Sequence, residues 1–312
     1  MSTVLDLRAH PGMARLGRPT LRLTTPRLVL GGAVVGVLVS VVWSSSLVDR
    51  TIGEDLASDI LGYSAAATPI TNTLMGAIFA LVSGLTGTFT ACNLAGFSAV
   101  APLASQRRSI GSSLRPLGWL AVGAGTGAGI HDAVGALIGT YIPQLSSDMV
   151  GRFPVRLIQS VVVFGVIGSV MLAIGLTSAG VLRNPLAQLF RRHPRAEVVT
   201  AGGLIGAFLV GRPFPLFFKM FQYAASTHDP AFGAAAFVLQ ILGNVTLMAG
   251  LYLALTHVAG GRVQLWLAAS PDRLARFSAA ALIVFGAFLV TYWCVRVPSF
   301  FGIGWWPTVP WS

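Results

Sequence analysis

Seven stretches of the chain are nearly free of charge, at about 28–45, 72–102, 116–142, 157–181, 199–222, 232–257 and 277–297, and the polar residues gather between them. Most reach the roughly 20 apolar residues that carry a helix across a hydrocarbon core. The runs are continuous and rich in Leu, Val, Ala and Gly, whereas the strands of a membrane barrel alternate in polarity over about 10 residues. The pattern predicts an all-α integral membrane protein with about seven transmembrane helices. Repeated small residues, as in "GGAVVG", "GAGTGAGIHDAVGALIG" and "GVIGSVMLAIG", would let those helices approach closely.

Composition agrees: 54% of residues are hydrophobic and 10% charged, with a mean hydropathy of +0.75. The net charge of +11 does not point to nucleic acid, because the basic residues are scattered between apolar segments instead of forming a stripe with interleaved aromatics. Taken alternately, the connections divide them unevenly. Fifteen arginines fall in the N-terminal stretch and the loops on its side, against Arg50, Arg152 and Arg156 on the other. The positive-inside rule then puts the N-terminus in the cytoplasm and the C-terminus outside, in the cytoplasmic (inner) membrane of a prokaryote. The Arg-rich start followed by "LVLGGAVVGVLVSVVWSSS" also has the order of a secretory signal peptide, but its apolar run is long and lacks a small-residue cleavage site, so a retained helix is favoured.

The Pro-punctuated connector at 182–198 divides the chain. Residues 1–71 hold the N-terminal stretch, a first helix and an outer loop, 72–181 a first trio of spans, 199–297 a second trio, and 298–312 a Trp- and Pro-rich tail for the membrane interface. Three spans on each side of the connector make the second trio run opposite to the first, as in inverted-repeat transporters. Each trio opens on an interruptible segment: "GTFTACNLAGFSAVAP", from Gly87 to Pro102, and "VGRPFPLFFKM", with Gly211, Pro213 and Pro215. Paired discontinuous helices are a sequence pointer to a midplane binding site. The outer loop "LVDRTIGEDLASDILGYSAAATP" fits a short amphipathic helix with solvated acidic residues.

The order of "SGLTGTFTACNLAGFSAVAP", a Gly-rich second helix and "GRPFPLFFKMFQYAASTHDPAFGAAAFVLQ" resembles the CcdA family, related to the transmembrane domain of DsbD, over roughly 72–297. The resemblance implies passage of reducing equivalents across the membrane through one cysteine in the first helix of each repeat, with thioredoxin-like proteins as partners on either side. Cys92 matches the first cysteine. Ala91 stands where the family has proline, and Phe214 stands where it has the second cysteine. Cys294, in "TYWCVRVP", is the other thiol, and bridging it to Cys92 would need their Cα atoms within roughly 4.4–6.8 Å.

Ionisable residues within spans are functional candidates by default. Asp132 and Arg212 lie at similar fractions of two helices running the same way, so an ion pair between them is expected, with His131 and Asn93 completing a polar site. Lys219 is expected to snorkel outward, Asn244 to make an interhelical hydrogen bond and Met220 to pack. His131 and Asp132 alone do not make a metal site, and no cofactor is expected. No P-loop, nucleophile elbow, HExxH or CxxC is present, so any enzyme activity would be thiol–disulfide exchange. Three functions remain: a thiol–disulfide conduit at Cys92, a non-redox transporter of an ion or small solute on the same scaffold, or an accessory subunit of a larger membrane complex.

Overall fold

The computed structural model describes residues 24–89, 110–183, 192–258, 271–307 and 309–310. It is nearly all helical. The long elements are α1 (Thr24–Val42), α3 (Thr73–Thr86), α4 (Ile110–Ile138), α5 (Val155–Ser178), α6 (Pro194–Gly211), α7 (Pro215–Thr227), α8 (Pro230–Val258) and α9 (Pro271–Thr291). Between α1 and α3 the segment Ser46–Asp55 winds as a π-helix and continues into α2 (Leu56–Leu61), so the amphipathic helix expected in that loop is present. The exception to helix is a two-stranded hairpin before α5, pairing Met149–Val150 with Phe153–Pro154 around Gly151 at φ +63°.

Local chemistry sets the boundaries. Asn72 accepts a hydrogen bond from the Met75 amide and so caps α3. Proline occupies the first position of α6, α7, α8 and α9, where its missing N–H is not needed. Asp229 Oδ1 accepts from the amides of Ala231 and Phe232 at the start of α8. His228, at φ +53°, turns the chain sharply between α7 and α8.

Among the described residues four helices are long and apolar enough to cross a membrane, and the bent pair α6–α7 makes five if it is one span. The expected count of seven is therefore not established. Helix α3 has only 14 residues and covers part of the stretch 72–102, the remainder of which beyond Phe89 lies outside the described residues. Helix α4 is 29 residues long, but its glycines, His131 and Asp132 dilute its apolar character.

The packing is built on α4, which lies against α6, α8 and α7, while α3 packs on α8, α5 on α9 and α6, and α1 on α9. Several of these contacts are backbone to backbone. A Cβ at Gly84 would collide with the Gln240 carbonyl, and one at Gly243 with that of Leu81. The α4–α6 seam repeats this arrangement, Gly123 against the Val199 carbonyl and Gly202 against that of Leu120. At the α5–α9 seam Gly168 and Gly286 face each other, and an added Cβ would lie 3.0 Å and 2.8 Å from the partner's carbonyl oxygen. In lipid, where apolar side chains gain little by leaving the solvent, such close contacts supply much of the attraction between helices.

Candidate functional site

The helix break between α6 and α7 organises the polar interior. Pro213 and Pro215 have no amide hydrogen, and each disfavours helical geometry in the residue before it. Arg212 and Phe214 accordingly take extended conformations, with ψ 116° and 125°, and the chain bends by 83°. A break frees carbonyls at the end of α6 that hydrocarbon cannot satisfy. Gln144 Nε2 donates to the Leu209 carbonyl at 3.0 Å, and Gln159 Nε2 to that of Val210 at 2.6 Å. Neither glutamine is distinguished in the sequence. Their role depends on where the α4–α5 connection and α5 lie in space.

The break meets the end of α3. The Arg212 guanidinium, in a residue only 4% exposed, donates through Nη2 to the Gly87 carbonyl at 2.8 Å and lies 4.9 Å from the centre of the Phe214 ring. A Cβ at Gly87 would sit 2.5 Å from Arg212 Nη2, and one at Gly53 would sit 2.5 Å from the Phe214 ring. Glycine at both positions is what lets these side chains fit. Of the residues expected at discontinuous helices, Gly87 meets Arg212 and Phe214 at the break, Pro213 lies in the break itself, Pro215 opens α7, and Gly211 packs on Val163 and Phe164. Cys92, Asn93 and Pro102 lie outside the described residues.

Above the break, a cavity of about 320 Å³ opens between the end of α1, the π-helical segment, α5 and the end of α9. Eight of the residues around it are aromatic, among them Trp43, Phe214, Tyr292 and Trp293. Trp293 stacks on Phe164 with ring centres 4.5 Å apart. The charged groups in the lining are Arg212 and Asp49. Burial pushes the Asp49 carboxyl up to about 6, with Arg212 opposing the rise and Glu54 adding to it. The acidic residues of this loop were expected to be solvated, but Asp49 is half-buried against the cleft. A somewhat larger depression of about 380 Å³ between α2 and α3 has no charged side chain in its lining and lies away from the break.

Three other ionisable groups, the buried Asp132 and Arg296 and the half-buried Lys219, have different surroundings. Asp132, fully buried, pairs with His131 at 3.1 Å. The expected Asp132–Arg212 pair does not form, because Arg212 turns to Gly87 at the break, while the backbone of Asp132 faces Gly233 on α8. Among the described residues Asp132 Oδ2 and His131 Nε2 have no hydrogen-bond partner, and the imidazole stacks on Phe221 at 5.3 Å. Lys219 does not snorkel outward: its Nζ donates to the carbonyls of Ala65, Ala66 and Thr68 and sits 5.4 Å from the Phe79 ring centre. Arg296, 1% exposed, closes the π-helical turn Tyr292–Arg296 that follows α9 and donates from Nη1 to the carbonyls of Ser40 and Trp43, tying that turn to the end of α1.

The remaining expectations divide. Thr88 Oγ1 donates to Asn244 Oδ1 at 3.4 Å, the interhelical contact anticipated for Asn244, and Met220 is fully buried in packing. Cys294 is exposed at the α5–α9 seam, its thiol 3.8 Å from the Val161 carbonyl, and is not part of the cleft lining. Among the described residues no group of three or more His, Cys, Asp or Glu could hold a metal ion. No protein family, no curated protein and no solved structure matches the chain.

Proposed function

We propose that the protein is a non-redox membrane transporter of a small solute, with an inverted-repeat scaffold and its solute site in the cleft above the helix break. The observation that carries this reading is the meeting of two helix ends, Gly87 of α3 and Arg212 of α6, beneath a cavity lined by aromatic rings and two charged groups. Broken helices are tolerated in a bilayer where their backbone lines a cavity or is satisfied by protein, and such places are where transporters bind substrate.

The packing supports the repeat. Exchange α3, α4 and α5 for α6–α7, α8 and α9, and the α3–α8 contact becomes the α6–α4 contact, while α4–α8 and α5–α9 map onto themselves. The glycine seams follow the same exchange: Gly84 and Gly243 on one side, Gly202 and Gly123 on the other, and the facing pair Gly168 and Gly286 between. Helix α1 has no counterpart and is an addition. Seven spans in a CcdA-like arrangement, with domain boundaries at 72, 182 and 199, are the finer form of this proposal. The arginine asymmetry would place the cleft on the non-cytoplasmic side.

The test is uptake into proteoliposomes of labelled small organic anions, cations and zwitterions, against protein-free vesicles. Saturable uptake of one class, lost in Arg212→Gln, is the expected result. Uptake no faster than in protein-free vesicles for all three classes would reject the transporter.

A second reading keeps the redox chemistry of the CcdA resemblance, because Cys92 follows five residues after the anchored Gly87. Its difficulty is chemical, since a two-thiol relay needs a partner and the buried Phe214 occupies the corresponding position in the second repeat. A mixed disulfide between Cys92 and thioredoxin, trapped in a Cys294→Ser background, would favour it.

A further inference from the structure

We propose that the cleft takes a hydrophobic organic anion of the size of an aryl carboxylate; this rests on reading the cleft as a solute site. Its volume of about 320 Å³ is at the small end of the roughly 300–1,000 Å³ of ligand pockets. Its walls are aromatic, so the body of the ligand must be apolar.

The sign of the charge follows from the buried cations. Arg212 lines the cavity itself. Arg296 lies behind the wall, 5.3 Å and 5.6 Å from the ring centres of Tyr292 and Phe300, both of which face the cavity. Aromatic cages hold cations against their ring faces, but here Phe214, Tyr292 and Phe300 each already have a guanidinium over one face. A cationic ligand would bring like charge beside it, whereas a carboxylate matches the guanidinium in charge and shape.

Among the described residues Asp49 is the one acidic group in the lining, and it supplies a pH dependence. The charged groups acting on it are Arg212 across the cavity and Glu54 on its own segment. The π-helical turn Tyr292–Arg296 that follows α9 presents the Tyr292 phenol, with Arg296 behind it, whereas Trp43 just after α1 and Leu157 and Phe164 of α5 face the cavity. With the Asp49 carboxyl titrating near 6, lowering the pH from about 7.5 to 5.5 removes a negative charge from beside the ligand. Anion binding should therefore tighten, on the order of tenfold.

The experiment uses the full chain in detergent, titrated by calorimetry with 3-phenylpropanoate, 3-phenylpropanamide and 3-phenylpropylamine at both pH values. The carboxylate is expected to saturate, with the amide and the amine at least about tenfold weaker. Asp49→Asn should tighten carboxylate binding at pH 7.5 and flatten its pH dependence, a gain that misfolding cannot mimic. Arg212→Lys should retain weaker binding with the same charge preference. Equal or tighter binding of the amine or amide, carboxylate binding that tightens as pH rises, or no binding of any of the three would overturn the proposal. Carboxylate binding without vesicle uptake would leave the ligand class standing and reject only the transporter.

Discussion

Two buried ionisable groups, Arg212 and Asp132, occupy the same helical bundle and are treated differently by it. Arg212 sits at a break, where the Gly87 carbonyl at the end of another helix accepts a hydrogen bond from its guanidinium and a cavity adjoins it. Asp132 sits within the continuous helix α4, where its partner is the adjacent His131 and its second oxygen has no hydrogen-bond partner among the described residues. A charge at a break can be satisfied by the backbone that the break exposes. An ionisable group in an intact helix must find side chains, because the helix interior has already paired its own N–H and C=O groups. The broken region is therefore where a polar ligand can be accommodated, whereas in the intact helix the two side chains are paired with each other.

Removing each group should make the contrast measurable. Arg212→Ala leaves the Gly87 carbonyl buried without this donor and opens space behind Phe214, at a cost of about 3 kcal/mol in stability. Asp132→Asn replaces a buried carboxyl oxygen that has no hydrogen-bond partner among the described residues and should change stability by less than about 1 kcal/mol. Thermal or denaturant unfolding in detergent would compare them, and equal losses would erase the distinction. Gly87→Val should come next, because its Cβ must displace Arg212; a loss of about 2 kcal/mol together with weakened ligand binding is expected.

Gln144→Leu and Gln159→Leu should each cost about 1 kcal/mol by uncapping the end of α6. Asp49 acts with a defined sign. Its folded-state pKa of about 6 lies above the ordinary 3.8, so the stability tied to its proton is fully present below about pH 4 and is lost as pH rises through about 6. Asp49→Asn should abolish that slope and raise stability at pH 7.5 by about 1 kcal/mol once solvent screening is allowed for. A slope that survives the substitution would assign it to another group. Cys294→Ser should be the mildest change, within about 0.5 kcal/mol, since its thiol is exposed and weakly bonded.

The same contrast explains what could be read from the sequence. Helical class and membrane character follow from apolar runs, which report composition directly. The interruptions at Gly87 and at "GRPFP" were visible because proline and glycine act on the backbone locally, whatever the rest of the fold does. The partners of the charges were not visible. Arg212 and Asp132 lie at similar fractions of their apolar stretches, yet that position says nothing about the direction in which a helix turns a side chain, and the two face different neighbours. Lys219 misled for a related reason, since the carbonyls of Ala65, Ala66 and Thr68 that capture it belong to a loop about 150 residues earlier. Asp49 is hydrophilic by sequence and becomes half-buried only because the π-helical segment folds down beside the break.

The central claim is that the cleft above the break is an accessible solute site, and labelling a cysteine in its lining tests it most directly. Ser45, a lining residue, would be replaced by cysteine in a chain lacking Cys92 and Cys294, then exposed in sealed, oriented membranes to a membrane-impermeant maleimide. The account predicts labelling from the non-cytoplasmic face that slows when 3-phenylpropanoate is present. Labelling from the cytoplasmic face alone, or at a rate that no ligand changes, would contradict it.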